Sequence, residues 1–173
     1  KAIELKPDFA AGYCNLGSIL LDIGKLEEAE LYTRKAIKFN PNYADYYSSL
    51  GIVLSNNGNS QEAFECYLKA SEINPNSSNT YSFITRFLGD SNLSELDPSK
   101  LKHISSILFK RDDINHKDLK SVINYLYDKK IRKILETLEY KSIEKDVIEF
   151  FIKDELLSLA LAKICFRDLE WEI

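Results

Sequence analysis

Apolar residues recur along the chain at the spacing of amphipathic helices. Between residues 10 and 23, successive apolar residues lie one or three positions apart, at Tyr13, Leu16, Ile19, Leu20 and Ile23. This spacing forms one apolar stripe along a helix. Residues 91–173 show no strand-like alternation, and their Leu, Ile and Val residues recur at helical distances. The pattern predicts an all-α protein.

Glycines and prolines divide the first half of the chain into segments of helical length. Gly24 and Gly58 stand where a left-handed residue would end a helix, and Pro41 and Pro75 each follow an asparagine that ends one. The predicted helices span residues 10–23, 26–39, 44–56, 60–73, 78–88 and 98–110. Asp97 is expected to cap the last of these helices, with Pro98 as its first residue.

The same residue types return after 34 positions. Gly17 matches Gly51, Ala29 matches Ala63, Ala36 matches Ala70, and Pro41 matches Pro75. A fixed period of this length predicts an α-solenoid of stacked helix–turn–helix repeats. The predicted segments are the end of a truncated repeat (1–9), two full repeats (10–43 and 44–77), a degenerate third repeat with capping helices (78–110), and a C-terminal helical bundle segment (111–173).

Small residues inside the predicted helices indicate close helix packing. Glycine in a helix costs up to about 1 kcal/mol relative to alanine, so Gly17 and Gly51 suggest a neighbouring helix too near for a side chain. Tyr13, Tyr47 and Tyr81 also recur at 34 and are expected to fill the space between hairpins.

These positions closely resemble tetratricopeptide repeats over residues 1–90. The resemblance rests on Tyr13-x-x-Leu16-Gly17, Ala29, Ala36 and Pro41, and on Tyr47-x-x-Leu50-Gly51, Ala63, Tyr67, Ala70 and Pro75. The amino-acid sequence of the repeats is similar to that of the repeat arms of O-linked N-acetylglucosamine transferases and their bacterial relatives. One departure is Thr33, which stands where the second unit has Tyr67; Tyr32 beside it is expected to compensate.

Residues 91–173 lack the 34-residue period and are predicted to form five or six short helices. Their segments 154–161 and 166–170 are similar to the helical region that precedes a methyltransferase domain in some bacterial, including cyanobacterial, repeat proteins. The chain starts with what reads as the second half of a helix. We therefore expect it to be part of a longer polypeptide.

Composition and charge exclude several classes of function. The net charge is −4; residues 1–90 hold 8 basic and 11 acidic residues, and residues 91–173 hold 15 and 16. Neither half has the basic excess that nucleic-acid binding requires. No run of apolar residues is long enough for a membrane span. Three cysteines without CxxC spacing suggest buried thiols in a reducing, cytoplasmic setting.

The sequence contains no motif typical of catalysis or metal binding. His103 and His116 are the only histidines, and neither has a ligand-forming neighbour at metal-binding spacing. They are expected to be solvated residues at helix ends. No nucleotide-binding, nucleophile-elbow or zinc-protease motif occurs. We expect no catalytic residues, no metal and no cofactor, and hence a chain that is not an enzyme.

The resemblance implies a binding groove on the concave face of the array, lined by side chains of the first helix of each repeat that do not pack between hairpins. Thirteen residues are predicted to line it: Cys14, Asn15, Ser18, Asp22, Asp45, Ser48, Ser49, Ile52, Asn56, Asn79, Ser82, Phe83 and Arg86. Asn15 stands where transferase-type repeats place an asparagine that holds peptide backbone. Ser49 and Phe83 interrupt that asparagine series.

Three functional hypotheses follow. The first is a non-catalytic scaffold that binds a protein or peptide in the groove. The second is a regulatory or substrate-docking arm of a larger enzyme, a glycosyltransferase or methyltransferase, whose catalytic domain lies outside this sequence. The third is self-association through the exposed apolar ends of a truncated array.

One prediction concerns chaperone tails that end in acidic residues. Family members that bind such tails hold the carboxylate with Lys, Asn and Arg, and the corresponding positions here are Cys14, Ser18, Ser49, Asn79 and Phe83. Because none is positively charged, a synthetic acidic tail peptide is expected not to bind. Fluorescence anisotropy that gave a micromolar complex would contradict this expectation.

Overall fold

A computed structural model describes residue 6, residues 8–128 and residues 153–169. The chain forms two compact units, divided between Phe87 and Leu88. All regular structure within these described ranges is helical, which confirms the predicted fold class. The division falls inside the predicted third repeat, residues 78–110.

The first unit consists of two helical hairpins and most of a further helix. Its helices are α1 (Ala10–Asp22), α2 (Leu26–Phe39), α3 (Ala44–Asn56), α4 (Ser60–Ile73) and α5 (Ser78–Asp90). We call α1, α3 and α5 the A helices, and α2 and α4 the B helices. The first four have the predicted bounds within one residue, and α5 runs two residues further than predicted.

The hairpin turns depend on glycine. Gly24 and Gly58 have φ angles of 78° and 80°, in the left-handed region that residues with a Cβ rarely adopt. In each turn the next amide N–H donates back to the A helix: Lys25 to the Leu20 carbonyl at 2.8 Å, and Asn59 to the Leu54 carbonyl at 2.9 Å. The left-handed C-cap expected at Gly24 is confirmed, and Gly58 repeats it.

Inside each hairpin the two helices touch at the recurring glycine. A Cβ built on Gly51 would lie 2.8 Å from Cε1 of Tyr67, whose ring is buried. A Cβ on Gly17 would overlap Oγ1 of Thr33 and lie 3.2 Å from the Ala29 carbonyl oxygen. The Thr33 hydroxyl is held in place because it donates to that carbonyl at 2.8 Å. The predicted close approach is therefore present in both repeats.

Tyr32 does not take the place of Tyr67. Its ring stacks on Tyr13, with centroids 6.1 Å apart, while Thr33 occupies the space against Gly17. Tyr13 also stacks on Phe39 at 5.5 Å. On α2, Thr33 thus contacts the recurring glycine as Tyr67 does on α4, whereas Tyr32 packs on Tyr13.

The second hairpin packs on the first through α3. Tyr46 is buried in one cluster with Cys14 and Ala36, and Val53 in another with Leu20 and Ala29. An ion pair links the two B helices, because Arg34 of α2 pairs with Glu62 of α4 at 2.6 Å, and also with Glu30 of its own helix at 2.9 Å. We call the side of the hairpins that carries these residues the outer side. Alanines on the B helix give the larger side chains of α3 room to approach.

The α5 helix follows the same 34-residue register, but a threonine takes the place of the recurring glycine. Thr85 stands 34 after Gly51 and is buried, and its hydroxyl donates to the Tyr81 carbonyl at 2.8 Å. Phe87 packs near Phe64 and Tyr67 of α4, with ring centroids 6.2 and 5.2 Å apart.

The second unit contains shorter elements. They are a 3-10 turn (Leu93–Glu95), α6 (Pro98–Phe109), a 3-10 turn (His116–Leu119), α7 over residues 120–128, and α8 (Glu155–Leu169). Residues 89–97, which lie between two of the predicted helices, thus include the end of α5 and a 3-10 turn. Helices predicted between residues 129 and 152 lie outside the described residues.

Polar caps fix the helix starts in this unit. Asp97 accepts a hydrogen bond from the Lys100 amide at 2.9 Å, and Pro98 is the first residue of α6, which confirms both predictions. Asp154 precedes α8 and accepts from Leu157 N at 3.2 Å, Tyr127 Oη at 2.6 Å and Lys102 Nζ at 3.0 Å. Burial alone would raise the pKa of Asp154, but these hydrogen bonds lower it below its usual value.

The prediction for His116 is wrong. Its side chain is buried, and its ring stacks on Phe109 with centroids 5.7 Å apart. The 3-10 turn that begins at His116 directs this residue inward, although the surrounding sequence is polar. His103 is exposed, as expected, but it lies inside α6 and not at a helix end.

The close helix contact predicts how the repeat glycines respond to substitution. Gly51→Ala is expected to lower the free energy of unfolding by about 1–3 kcal/mol, because the added methyl group displaces the buried Tyr67 ring. Gly17→Ala should also destabilise, and by less in a Thr33→Ala background, where Oγ1 is removed. Urea denaturation followed by circular dichroism measures these changes.

Gly89→Ala is the matched control. The nearest atom to its added Cβ is 3.5 Å away, an ordinary contact, so the helix propensity of alanine should leave stability unchanged or raise it by up to about 1 kcal/mol. A Gly51→Ala chain as stable as its parent would contradict the packing role assigned to this glycine.

Candidate functional site

The thirteen predicted groove residues lie on the three A helices, and we call this the A-helix surface. Most of them are open to solvent, but two are buried. The exposed residues are Asn15, Ser18, Asp22, Asp45, Asn56, Asn79, Ser82 and Arg86; the half-buried residues are Ser49, Ile52 and Phe83; the buried residues are Cys14 and Ser48.

Cys14 does not line an open surface. It packs with Ala36 and Tyr46 in the contact between hairpins, and its Sγ donates a weak hydrogen bond to Ser49 Oγ at 3.5 Å. Burial raises the pKa of the thiol, the hydrogen bond to Ser49 lowers it, and the nearby Asp45 carboxylate raises it, with a net increase. The thiol is therefore protonated at neutral pH and fills space as a small apolar group.

Ser48 repeats the position of Cys14 one unit later. Its side chain is buried, and its Oγ has no hydrogen-bond partner. The 34-residue register explains the difference: Ser49 accepts from Cys14, but the residue 34 after Ser49 is Phe83, which has no polar side-chain atom. The Ser48 hydroxyl therefore lacks an acceptor like the one that Ser49 provides for Cys14.

Two polar residues of the A-helix surface use their donors on their own helix. Ser18 Oγ donates to the Cys14 carbonyl at 3.2 Å, and Asn56 Nδ2 donates to the Ile52 carbonyl at 2.8 Å. Asn15 and Asn79 are exposed carboxamides, each with two donors and one acceptor. These two asparagines are the groups best suited to pair with a peptide backbone.

An aromatic and cationic pair lies on α5. The guanidinium of Arg86 lies over the Phe83 ring, 5.6 Å from its centroid. Burial raises the pKa of Tyr67, and the positive charge of Arg86 partly opposes that increase, so Arg86 is near this side chain as well. The charges of the A-helix surface are thus divided: Asp22 and Asp45 on α1 and α3, and Arg86 on α5.

Sequence reasoning missed a second exposed feature on α1. Ile19 and Ile23 were assigned to the apolar stripe of a packed helix, yet 58% and 63% of their surfaces are exposed. With Gly12 and Leu16, which are half-buried, they lie four, three and four positions apart. We call these four residues the α1 stripe.

The described residues offer no metal or membrane-spanning feature. Among residues 8–128 and 153–169 no group of His, Cys, Asp and Glu could hold a metal ion. None of the helices in these ranges is long and apolar enough to cross a membrane.

The fold and this surface define a helical-repeat protein. Two family models, both described as tetratricopeptide repeat, match residues 10–43 and residues 32–65. The first match coincides with the first hairpin, and the second runs from α2 into α4. Residues 10–65 of the chain therefore form tetratricopeptide repeats. No curated protein sequence matches it.

Two solved structures, both crystal structures of MamA, are similar to the chain. One has a TM-score of 0.62 at 15% identity and is matched over 100% of this chain and 86% of its own. The other has a TM-score of 0.59 at 16% identity, over 99% and 81%. At these identities the likeness shows the fold alone, and the fold it shows is the all-helical repeat architecture.

The orphaned hydroxyl of Ser48 yields a stability prediction. Ser48→Ala is expected to raise the free energy of unfolding by about 1 kcal/mol, because it removes a buried polar atom that has lost its water without gaining a partner. Ser82→Ala, the exposed residue 34 positions later, is the control and should change stability little. Thermal denaturation in which Ser48→Ala lowered stability would show that Oγ has a stabilising partner.

Proposed function

We propose that this chain is a non-catalytic scaffold that binds an extended segment of another protein along its A-helix surface. Tetratricopeptide repeats support a role in protein interaction in general; the surface and the binding mode are our proposal. The observation that supports it most is the row of short polar side chains on consecutive A helices, with the carboxamides of Asn15 and Asn79 exposed.

An extended segment suits this surface because its own backbone groups need partners. Each carboxamide can accept from a peptide N–H and donate to a peptide C=O, as a neighbouring strand would. The serines between the asparagines are too short to block a peptide chain. Each well-formed hydrogen bond is worth about 1 kcal/mol, so several are needed for micromolar affinity.

The charges give the segment a direction. A basic residue is expected near Asp22 and Asp45, and an acidic residue near Arg86, with an aromatic or aliphatic side chain against the Phe83 ring. Arg86 stacked on Phe83 offers the only cationic group among the thirteen residues. The proposed ligand is thus a mixed-charge segment with one apolar anchor.

A cytoplasmic location remains part of the proposal and rests on the buried thiols of Cys14 and Cys66. The alternative function, a docking arm of a larger glycosyltransferase or methyltransferase, would use the same surface for substrate capture. The full-length reading frame distinguishes the two, since the alternative requires a catalytic domain in the same polypeptide.

The test first selects peptides that bind the chain. It then compares their affinity for variants on the A-helix surface with their affinity for variants outside it. Peptides selected from a random library should lose about fivefold in affinity with Asn15→Ala, and more with Arg86→Ala, which removes a charge and a stacking contact. Matched controls are Asn57→Ala and Lys38→Ala, exposed residues outside the A-helix surface. Isothermal titration calorimetry measures the affinities.

Peptides that bind the control variants and both test variants with equal affinity would contradict the proposed surface. A library that yielded no binder at all would contradict extended-peptide binding itself.

A further inference from the structure

Arg86 is a cation without a carboxylate partner in the part of the chain that the structure describes. Its side chain is exposed, and its guanidinium lies over the Phe83 ring, 5.6 Å from the centroid. None of the ion pairs between described residues includes it, whereas Arg34 pairs with Glu30 and Glu62. Stacking on an aromatic ring restricts the guanidinium without using its five N–H donors. Arg86 is therefore suited to bind an acceptor from outside the chain.

Tyr67 supplies a second donor beside this surface, although it belongs to the B helix α4. Its ring is buried against Gly51 of α3, and its centroid lies 5.2 Å from that of Phe87 of α5. Its hydroxyl forms no hydrogen bond with any described residue, and it is not an enclosed oxygen like Ser48 Oγ. The exposed fraction of Tyr67, only 3%, therefore includes Oη. A buried ring thus carries a hydroxyl that solvent reaches.

The two donors are neighbours that do not bond to each other. Burial raises the pKa of Tyr67, and the nearby charge of Arg86 partly opposes that increase. No hydrogen bond joins the hydroxyl to the guanidinium, so the two groups are near each other without direct contact. Aromatic packing fixes both, because Phe83 stacks on the guanidinium and Phe87 packs on the Tyr67 ring. An acceptor placed between them accepts from both.

A carboxylate matches these two donors. It accepts hydrogen bonds at both oxygens, and it pairs with the fork of a guanidinium through two parallel hydrogen bonds. Because its pKa is raised, the Tyr67 phenol is protonated at neutral pH and donates. One positive charge here balances one carboxylate. A phosphate group carries up to two negative charges, and Asp22 and Asp45 elsewhere on the A-helix surface would repel it more strongly.

We propose that Arg86 and Tyr67 together bind the side-chain carboxylate of one Asp or Glu in the extended segment, with Phe83 against its methylene groups. This inference rests on the proposed peptide binding, and it adds a residue of α4 to a surface otherwise formed by the A helices. The site holds one cation and fits one carboxylate, so it does not replace the several side chains that hold an acidic chaperone tail.

The first test uses the parent chain alone. Peptides selected from a random library should share an acidic residue at one fixed position. Replacing that residue with its amide, Glu by Gln or Asp by Asn, should lower the affinity about tenfold, because the charge-assisted hydrogen bonds are lost. Isothermal titration calorimetry measures both peptides, and a third peptide with phosphoserine at the same position tests the chemical class.

The second test assigns the role of Tyr67. Tyr67→Phe keeps the ring that packs on Gly51 and removes only the hydroxyl, so the variant should fold, which circular dichroism checks. It should reduce the discrimination between the acidic peptide and its amide by about threefold. A purely structural role would weaken both peptides equally and leave their ratio unchanged. Tyr47→Phe is the matched control, since Tyr47 lies on α3 outside the A-helix surface, and it should leave the ratio as in the parent chain.

Four results would overturn the carboxylate site while peptide binding itself stands. They are selected peptides without a shared acidic position, an amide peptide that binds as tightly as the acidic one, an unchanged ratio in Tyr67→Phe, and tighter binding of the phosphoserine peptide than of the acidic peptide. A library without any binder would instead contradict the proposed function, and this inference with it.

Discussion

The close approach of the two helices in each hairpin is the contact on which the rest of the structure depends. At Gly17 and Gly51 a helix from the same repeat lies too near for a Cβ, and the facing Thr33 and Tyr67 are buried. This contact fixes how each A helix is rotated about its own axis. One side then faces its B helix, a second faces the next hairpin, and the remaining sides become the A-helix surface and, on α1, the exposed stripe.

Much of the first unit could be predicted from sequence because its determinants are local. Gly24 and Gly58 end helices through their own backbone angles, and Asp97 begins one by capping a nearby amide. The 34-residue recurrence adds long-range information, since equal spacing of Gly, Ala and Pro implies equal packing in each unit. The helix bounds therefore followed from the pattern within two residues.

Burial at particular positions could not be predicted in the same way, because it depends on which neighbour is present. Cys14 and Ser48 were assigned to an open groove, yet both are buried. Ile19 was assigned to the packed stripe of its helix, yet its outer side is open. His116 stands in a polar loop whose 3-10 turn directs it onto Phe109. Periodicity identifies an apolar face, but the fold decides what covers it.

The account's central claim is that a peptide binds along the A helices, and NMR chemical-shift mapping with a selected peptide tests it most directly. We predict that amide shifts change along α1, α3 and α5 near Asn15, Ser49 and Asn79, with the B helices α2 and α4 unaffected on their outer side. Shift changes centred on Arg34 and Glu62, on that outer side, would contradict the claim.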